Sequence, residues 1–172
     1  EDETDLEEFW PVVEKAVREA LTGLLAMREE EGRQMRSDLL LRRQSVGEMV
    51  EIIESCSGMM VDSYREKISE RIRELLIQVP VDEQRLAMEV VLMAEKSNIS
   101  EELVRLGSHL EQMMECLEST DPVGRKLDFL VQEMHREINT ISSKANDLEI
   151  SHQVVNVKSE LEKIREQVQN IE

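Results

Sequence analysis

Leu6, Trp10, Val13, Val17, Leu21 and Leu24 recur at steps of 4, 3, 4, 4 and 3, the spacing that lines one face of an α-helix. Pro11 stands near the start of that run, where a missing N–H costs little. Nothing between Arg28 and Asp38 stops the helix firmly; Gly32 is a weak breaker, at which the helix continues or restarts. A second helical run extends from about Met35 to Val79, with a candidate interruption at Ser55 to Gly58. Val61, Tyr64, Ile68, Ile72, Leu75 and Val79 mark its apolar stripe, and Pro80 ends it. Runs of this length predict an extended antiparallel helical hairpin over residues 1–80 rather than a globule.

Asp82 is placed to cap a shorter helix reaching about Lys96. Ser97-Asn98-Ile99-Ser100 breaks the pattern, with Ser100 as the expected N-cap and Glu101 and Glu102 in a first turn that favours carboxylates. The helix that follows should bury Leu103, Leu106, Leu110, Met113 and Leu117, at steps of 3, 4, 3 and 4. Ser119 to Gly124 reads as a loop, and the next helix ends near Asn146. Ile150, Val154, Val157, Leu161, Ile164, Val168 and Ile171 then keep strict 4–3 spacing over three heptads, a coiled-coil seam. That seam predicts helix packing, with a partner in the same chain or in another copy. No strand pattern and no internal repeat occurs. The expected fold is all-α: elongated antiparallel helical hairpins with a C-terminal heptad-patterned helix, organised as residues 1–80 and 81–172.

Composition narrows the function. With 40% apolar residues the chain is too hydrophobic for disorder, and 2% aromatics leaves an aliphatic core in which ten Met fill irregular gaps. No apolar run approaches the roughly 20 residues that cross a bilayer, and no signal peptide is visible, so a cytoplasmic protein without membrane contact is expected. Cys56 and Cys116 show no CxxC spacing and read as reduced packing thiols. A formal net charge of -17 argues against diffuse binding to a nucleic-acid duplex, whose binders are usually basic. It leaves open phosphate held at a locally basic lining or through cations bound by carboxylates.

One stretch departs from the acidic background. Pro122 to Asp147 balances Arg125, Lys126, Arg136 and Lys144 against Asp128, Glu133, Glu137 and Asp147. Arg125, Asp128, Gln132, Arg136, Asn139 and Ser143 share one helical stripe, an inventory of donors and acceptors suited to gripping a polar ligand or to meeting a neighbouring helix. Glu133 and Glu137 lie at i and i+4, where like charges repel unless a cation intervenes. Glu102, Arg105 and His109 share a face of the preceding helix. Two facing helices would bring three carboxylates and an imidazole to one point, ligands for Mg²⁺ or Mn²⁺, with His shifting the preference towards Mn²⁺ or Zn²⁺. Against this, solvated glutamates are commonplace in a chain with 38 acids, and a lone His on a helix is usually structural. His135 points off the carboxylate face, and His152 belongs to the surface. Cys116 lacks any nucleophile elbow, and Gly124-Arg125-Lys126 lacks the spaced glycines of a P-loop. Stacking platforms for single-stranded RNA are scarce: Phe9, Trp10, Tyr64 and Phe129 are the only aromatics.

The segments GRKLDFLVQEMHREINTISSKAND and KSELEKIREQVQNIE resemble the C-terminal domain of the YicC-like endoribonuclease family. AMREEEGRQMRSDLLLR and DEQRLAMEVVLMAEKSNISEELVRLGSHLEQM follow the same pattern, so the resemblance runs along nearly the whole chain. It implies a divalent-metal-dependent RNA endonuclease, and together with the spacing above makes Glu102, His109, Glu133 and Glu137 the expected metal-facing set of an enzyme cutting single-stranded RNA. His109, Glu133 and Glu137 would be catalytic; Arg105, Arg125, Lys126, Arg136 and Lys144 would hold RNA phosphates. It also implies a ring-like homo-oligomer, expected as a hexamer. Two positions depart from the family: His135 stands where an Asn is common, and Asn98 where an Asp is common, which speaks against essential roles for either. Such proteins usually begin with a β-rich domain, of which no trace is present, so this chain is expected to be the C-terminal portion of a longer protein. The rival reading is a non-catalytic oligomeric helical adaptor or RNA-binding scaffold.

Overall fold

A computed structural model describes residues 6–75 and 82–171, with side chains throughout except at 6–8, 59–62, 73 and 75. The architecture is all-α. Helix α1 spans Leu6–Leu75, α2 Glu83–Lys96, α3 Ser100–Glu118, α4 Gly124–Lys144 and α5 Leu148–Val168, and no strand occurs among the described residues. The predicted stop at Pro80 lies outside them.

The first region contributes one 70-residue helix where two helical runs with a turn were expected. The physical reason is local. Gly32 keeps a negative φ, so it does not turn the chain, and Glu30 bridges the position by pairing with Arg33 and accepting from Gln34 at 2.8 Å. Ser55 to Gly58 is likewise helical: Ser57 turns its hydroxyl onto the Glu54 carbonyl, 2.8 Å away, rather than breaking the ladder. Antiparallel hairpins occur instead between α3 and α4 and between α4 and α5.

The chain divides into two compact units, residues 1–38 and 39–172. The described part of the first, from Leu6 on, is the leading part of α1. Its apolar stripe, with Trp10, Val13, Val17, Leu21 and Leu24 each about half exposed or more, faces solvent.

The second unit holds the core. Here α4 is the central element, burying Leu127, Leu130, Val131, Met134, Ile138 and Ile141 against α3 on one side and α5 on the other. All five leucine and methionine positions predicted for α3 are buried. So are Ile150, Val154, Val157, Leu161, Ile164 and Val168 of the heptad seam, whose partner is therefore within this chain. The α1 segment from Leu39 to Ile53 closes the core with Leu39, Val46, Val50 and Ile53; Arg42 pairs with Glu160 of α5 at 3.0 Å, and Arg43 donates to the Leu110 carbonyl of α3 at 3.2 Å.

Short-range chemistry sets the boundaries. Asp82 caps α2 as expected, accepting from the amides of Gln84 and Arg85. At α3 the expected cap shifts: Ser100 is already helical, and Asn98 Oδ1 accepts from its amide at 2.9 Å. An Asp at 98 could make the same bond, so this position serves the turn. Gly124 opens α4 where a Cβ would lie 2.5 Å from the Ile171 carbonyl oxygen, which only glycine avoids. No helix among the described residues is long and apolar enough to cross a membrane.

Within α5, Leu161 is fully buried and Leu148 almost fully exposed. Leu161→Ala should cost about 2–5 kcal/mol, through lost transfer energy and the cavity left behind, whereas Leu148→Ala should stay within about 0.5 kcal/mol of the parent. Urea unfolding followed by circular dichroism separates the two; equal effects would show that the α4–α5 seam does not form.

Candidate active site on the α3–α4 seam

The two helices approach so that moving forward along α3 means moving backward along α4. Glu102 meets Lys144, Arg105 meets Glu137, and His109 meets Glu133 and Glu137. These groups form a polar edge to a seam that is otherwise aliphatic. Glu102 is 3% exposed and Glu137 5%. A carboxylate so buried needs compensation by cations and donors. Lys144 Nζ donates to Glu102 Oε1 at 2.8 Å and to the Asn98 carbonyl at 3.1 Å. Arg105 Nη2 adds a weaker contact to the same oxygen at 3.3 Å, and Arg105 also pairs with Glu101. Arg105 Nε lies 2.9 Å from Glu137 Oε1, yet its N–H is not aimed at that oxygen, so the pair is a charge contact more than a directed bond.

Burial pushes the Glu102 carboxyl up, but the Lys144 hydrogen bond and the Lys144 and Arg105 charges outweigh it and leave it below the usual carboxylate range. The Arg105 guanidinium is held still more firmly protonated, chiefly by Glu137.

One turn further along the seam, His109, Glu133 and Glu137 each present a possible ligand atom, all within 4.8 Å of one another. Ligands about 2.0–2.2 Å from one ion are separated by roughly 3–4 Å, so modest side-chain rotations would close this set. The donors are suitable: one imidazole and two carboxylates fit Mn²⁺ or Zn²⁺ well and Mg²⁺ adequately. His109 Nδ1 is buried and makes no hydrogen bond, so no protein group competes for it as a ligand atom. These residues thus fit a divalent cation. Glu102 is not among the converging ligand atoms: its Oε1 is engaged by Lys144 and Arg105, and its Oε2 is buried without a hydrogen-bond partner.

The basic residues divide the same way. Lys144 and Arg105 are engaged by buried carboxylates, whereas Arg125, Lys126 and Arg136 are exposed on α4. Lys126 precedes Glu133 by two turns on the same face; Arg125 and Arg136 lie to one side, Arg136 Nη1 being 4.0 Å from Glu133. The predicted stripe through Asp128, Gln132, Asn139 and Ser143 also faces outward, with Gln132 donating to Asp128 at 2.7 Å. His135 turns to α5, 3.3 Å from Glu162, and His152 is exposed. Both cysteines are free. Burial, then Asp147 and Glu149, push the Cys56 thiol up and so disfavour its reactive form.

Residues 53–172 match the family described as endoribonuclease YicC-like, C-terminal. The chain belongs to the YicC-like endoribonuclease family. It is 49% identical over its whole length to a probable endoribonuclease YicC of Clostridioides difficile, covering 59% of that protein. It is 33% identical over 99% of its length to a probable endoribonuclease YicC of Haemophilus influenzae, covering 58% of it. The chain therefore spans somewhat under two thirds of the curated YicC relatives it matches. Within this YicC-like chain, the sequence pattern located the three converging residues but missed that Arg105 and Lys144 serve as counter-ions. The available signal was the antiparallel order of 102, 105 and 109 against 144, 137 and 133, readable only once α3 and α4 are known to pair.

The depressed carboxyl of Glu102 gives a pH prediction. Its folded value lies below its unfolded one, so the unfolded chain binds more protons between the two. This stabilisation is complete above the ordinary Glu value of about 4.3 and is lost as pH falls through the folded value. Because Lys144 and Arg105 retain access to water, Glu102→Gln should cost about 1–3 kcal/mol at pH 7 rather than more. The variant should also show a shallower loss of stability below about pH 5 than the parent. Parallel acid profiles would mean that Lys144 and Arg105 do not lower the Glu102 carboxyl in the folded chain.

Proposed function

We propose that this chain carries the metal-binding and cleavage centre of an endoribonuclease acting on single-stranded RNA. The observation that carries the reading is the convergence of His109, Glu133 and Glu137 beside an exposed cationic row, in a chain whose curated relatives are named probable endoribonucleases. His109, Glu133 and Glu137 would hold the cation, with Mn²⁺ or Mg²⁺ the expected occupant. When bound, such an ion lowers the pKa of a water nucleophile and stabilises charge on the phosphoryl oxygens. Arg105 holds Glu137 in place from α3. Arg125, Lys126 and Arg136 hold the phosphates on either side of the scissile bond as point charges and forks. A single strand is favoured over a duplex because the net charge of -17 leaves only this local row to oppose phosphate repulsion.

The test pairs cleavage with metal binding. Labelled single-stranded RNA should be cut on addition of Mn²⁺ or Mg²⁺, and Glu133→Ala with Glu137→Ala should lower the rate at least about 100-fold. The same double variant should lose calorimetric Mn²⁺ binding while keeping its helical circular dichroism. Full activity in the folded variant would remove these residues from the centre, and absence of cleavage with any metal would favour the scaffold reading.

We infer further that the chain self-associates, with a homo-hexamer as the expected assembly. What supports this is the apolar face of α1 between Phe9 and Met27, whose nine large side chains are about half to two-thirds exposed. Together they leave on the order of 900 Å² uncovered, more than a monomer ordinarily shows and near the roughly 800 Å² per partner of a standard interface. Light scattering should give a multiple of 20.0 kDa, and Val17→Glu with Leu24→Glu should reduce it. A parent mass of 20.0 kDa at all concentrations would show that copies of this chain do not cover the face.

A further inference from the structure

Phe129 is one of four aromatic residues in the chain, and it stands 58% exposed in the second turn of α4. Its neighbours on the core side, Leu127, Leu130 and Val131, are buried essentially completely. A helix whose apolar positions are otherwise inside thus turns its largest side chain outward. Phe129 follows Arg125 by four residues and precedes Glu133 by four, so the three lie along one slowly winding i, i+4 ridge that rises about 6 Å at each step. Arg136, three residues past Glu133, borders the row beyond the carboxylates. A cation, an aromatic face, a candidate ligand and a second cation therefore succeed one another along the exposed surface of one rigid element.

We propose that Phe129 is a nucleobase platform that stacks one base of single-stranded RNA next to the scissile phosphate. This rests on the endoribonuclease reading and deepens it by assigning the contact that recognises a base rather than a phosphate. The chemistry is direct. An aromatic ring offers a sequence-tolerant face to any base, but only to an unpaired one, because in a duplex both faces are already stacked. A base on Phe129 would set its phosphate between Arg125 on one side and the cation proposed at Glu133 and Glu137 on the other. Phosphate contacts alone would let a strand slide along the row; one stacked base sets its register, which is a positioning role. The platform also supplies preference for a single strand without base-specific hydrogen bonds.

A cycle of substitutions tests this on the 172-residue chain with EDTA present, so that binding is read without cleavage. Phe129→Leu should weaken binding of a short single-stranded RNA about tenfold, and Phe129→Trp should restore it. Removing a single base from the RNA, leaving an abasic site, should weaken the parent by a similar factor at one position and leave Phe129→Leu indifferent there. With Mn²⁺ added, Phe129→Leu should scatter the cleavage positions while Mn²⁺ affinity stays unchanged. If the parent neither binds nor cuts RNA, the endoribonuclease reading fails and this proposal with it. If the parent cuts RNA but Phe129→Leu keeps its affinity and cleavage pattern, or loses affinity equally for abasic and intact strands, the platform alone is overturned.

Discussion

Two carboxylates buried in an aliphatic core have to meet cations, and this requirement sets how α3 and α4 face each other. The hydrophobic part of the seam is tolerant: Leu103, Leu106 and Leu110 opposite Leu130, Met134, Ile138 and Ile141 would pack after a slide of one turn with modest loss. The charged edge is not. A slide of one turn would take Lys144 from Glu102 and Arg105 from Glu137 at once, leaving Glu137 without its cation and Glu102 with only the weaker contact from Arg105 on its own helix, at a cost of several kcal/mol. The pairs need add little net stability to exert this control, since their worth lies in what the misaligned state would lose. The same register brings His109 beside Glu133, so the candidate centre is a consequence of the pairing further along the seam.

How much of this could be read from the residues follows from range. Helix α5 is legible because its information is periodic and local, seven apolar positions at 4–3 spacing, six of them among the buried residues. The Asp82 cap is legible for the same reason. The turn before α3 is half legible. A break at Ser97 to Ser100 is visible, but whether Asn98 or Ser100 supplies the capping oxygen depends on backbone angles that both sequences of events would satisfy. The continuity of α1 through Gly32 lay beyond local reading, because a glycine at negative φ and a glycine in a turn look alike as letters.

The site divides along that line too. Glu133 and Glu137 announce themselves as a like-charged pair on one face. Glu102 looked like a fourth member because it shares a face with His109, and only a partner 42 residues away, Lys144, takes it out of the group. Phe129 was visible only as one of four aromatics available for stacking; that it is the exposed apolar side chain of α4 is a property of the packed molecule.

Arg105 connects the structural demand with the proposed chemistry. Glu133 and Glu137 carry two formal negative charges, and Arg105, in contact with Glu137, offsets one. With a divalent cation on Glu133 and Glu137, the Arg105 charge would leave these four groups at a formal +1 rather than zero, which would suit the proposed role of holding a phosphodiester. The same offset would weaken the attraction for the cation itself, so the proposed centre would trade affinity for metal against affinity for polyanion. Substituting Lys at 105 would keep the charge but not the planar fork that reaches Glu101, Glu102 and Glu137 together. Three carboxylates at different heights along a seam call for a guanidinium, and that need ties the register of α3 and α4 to the electrostatics of the centre.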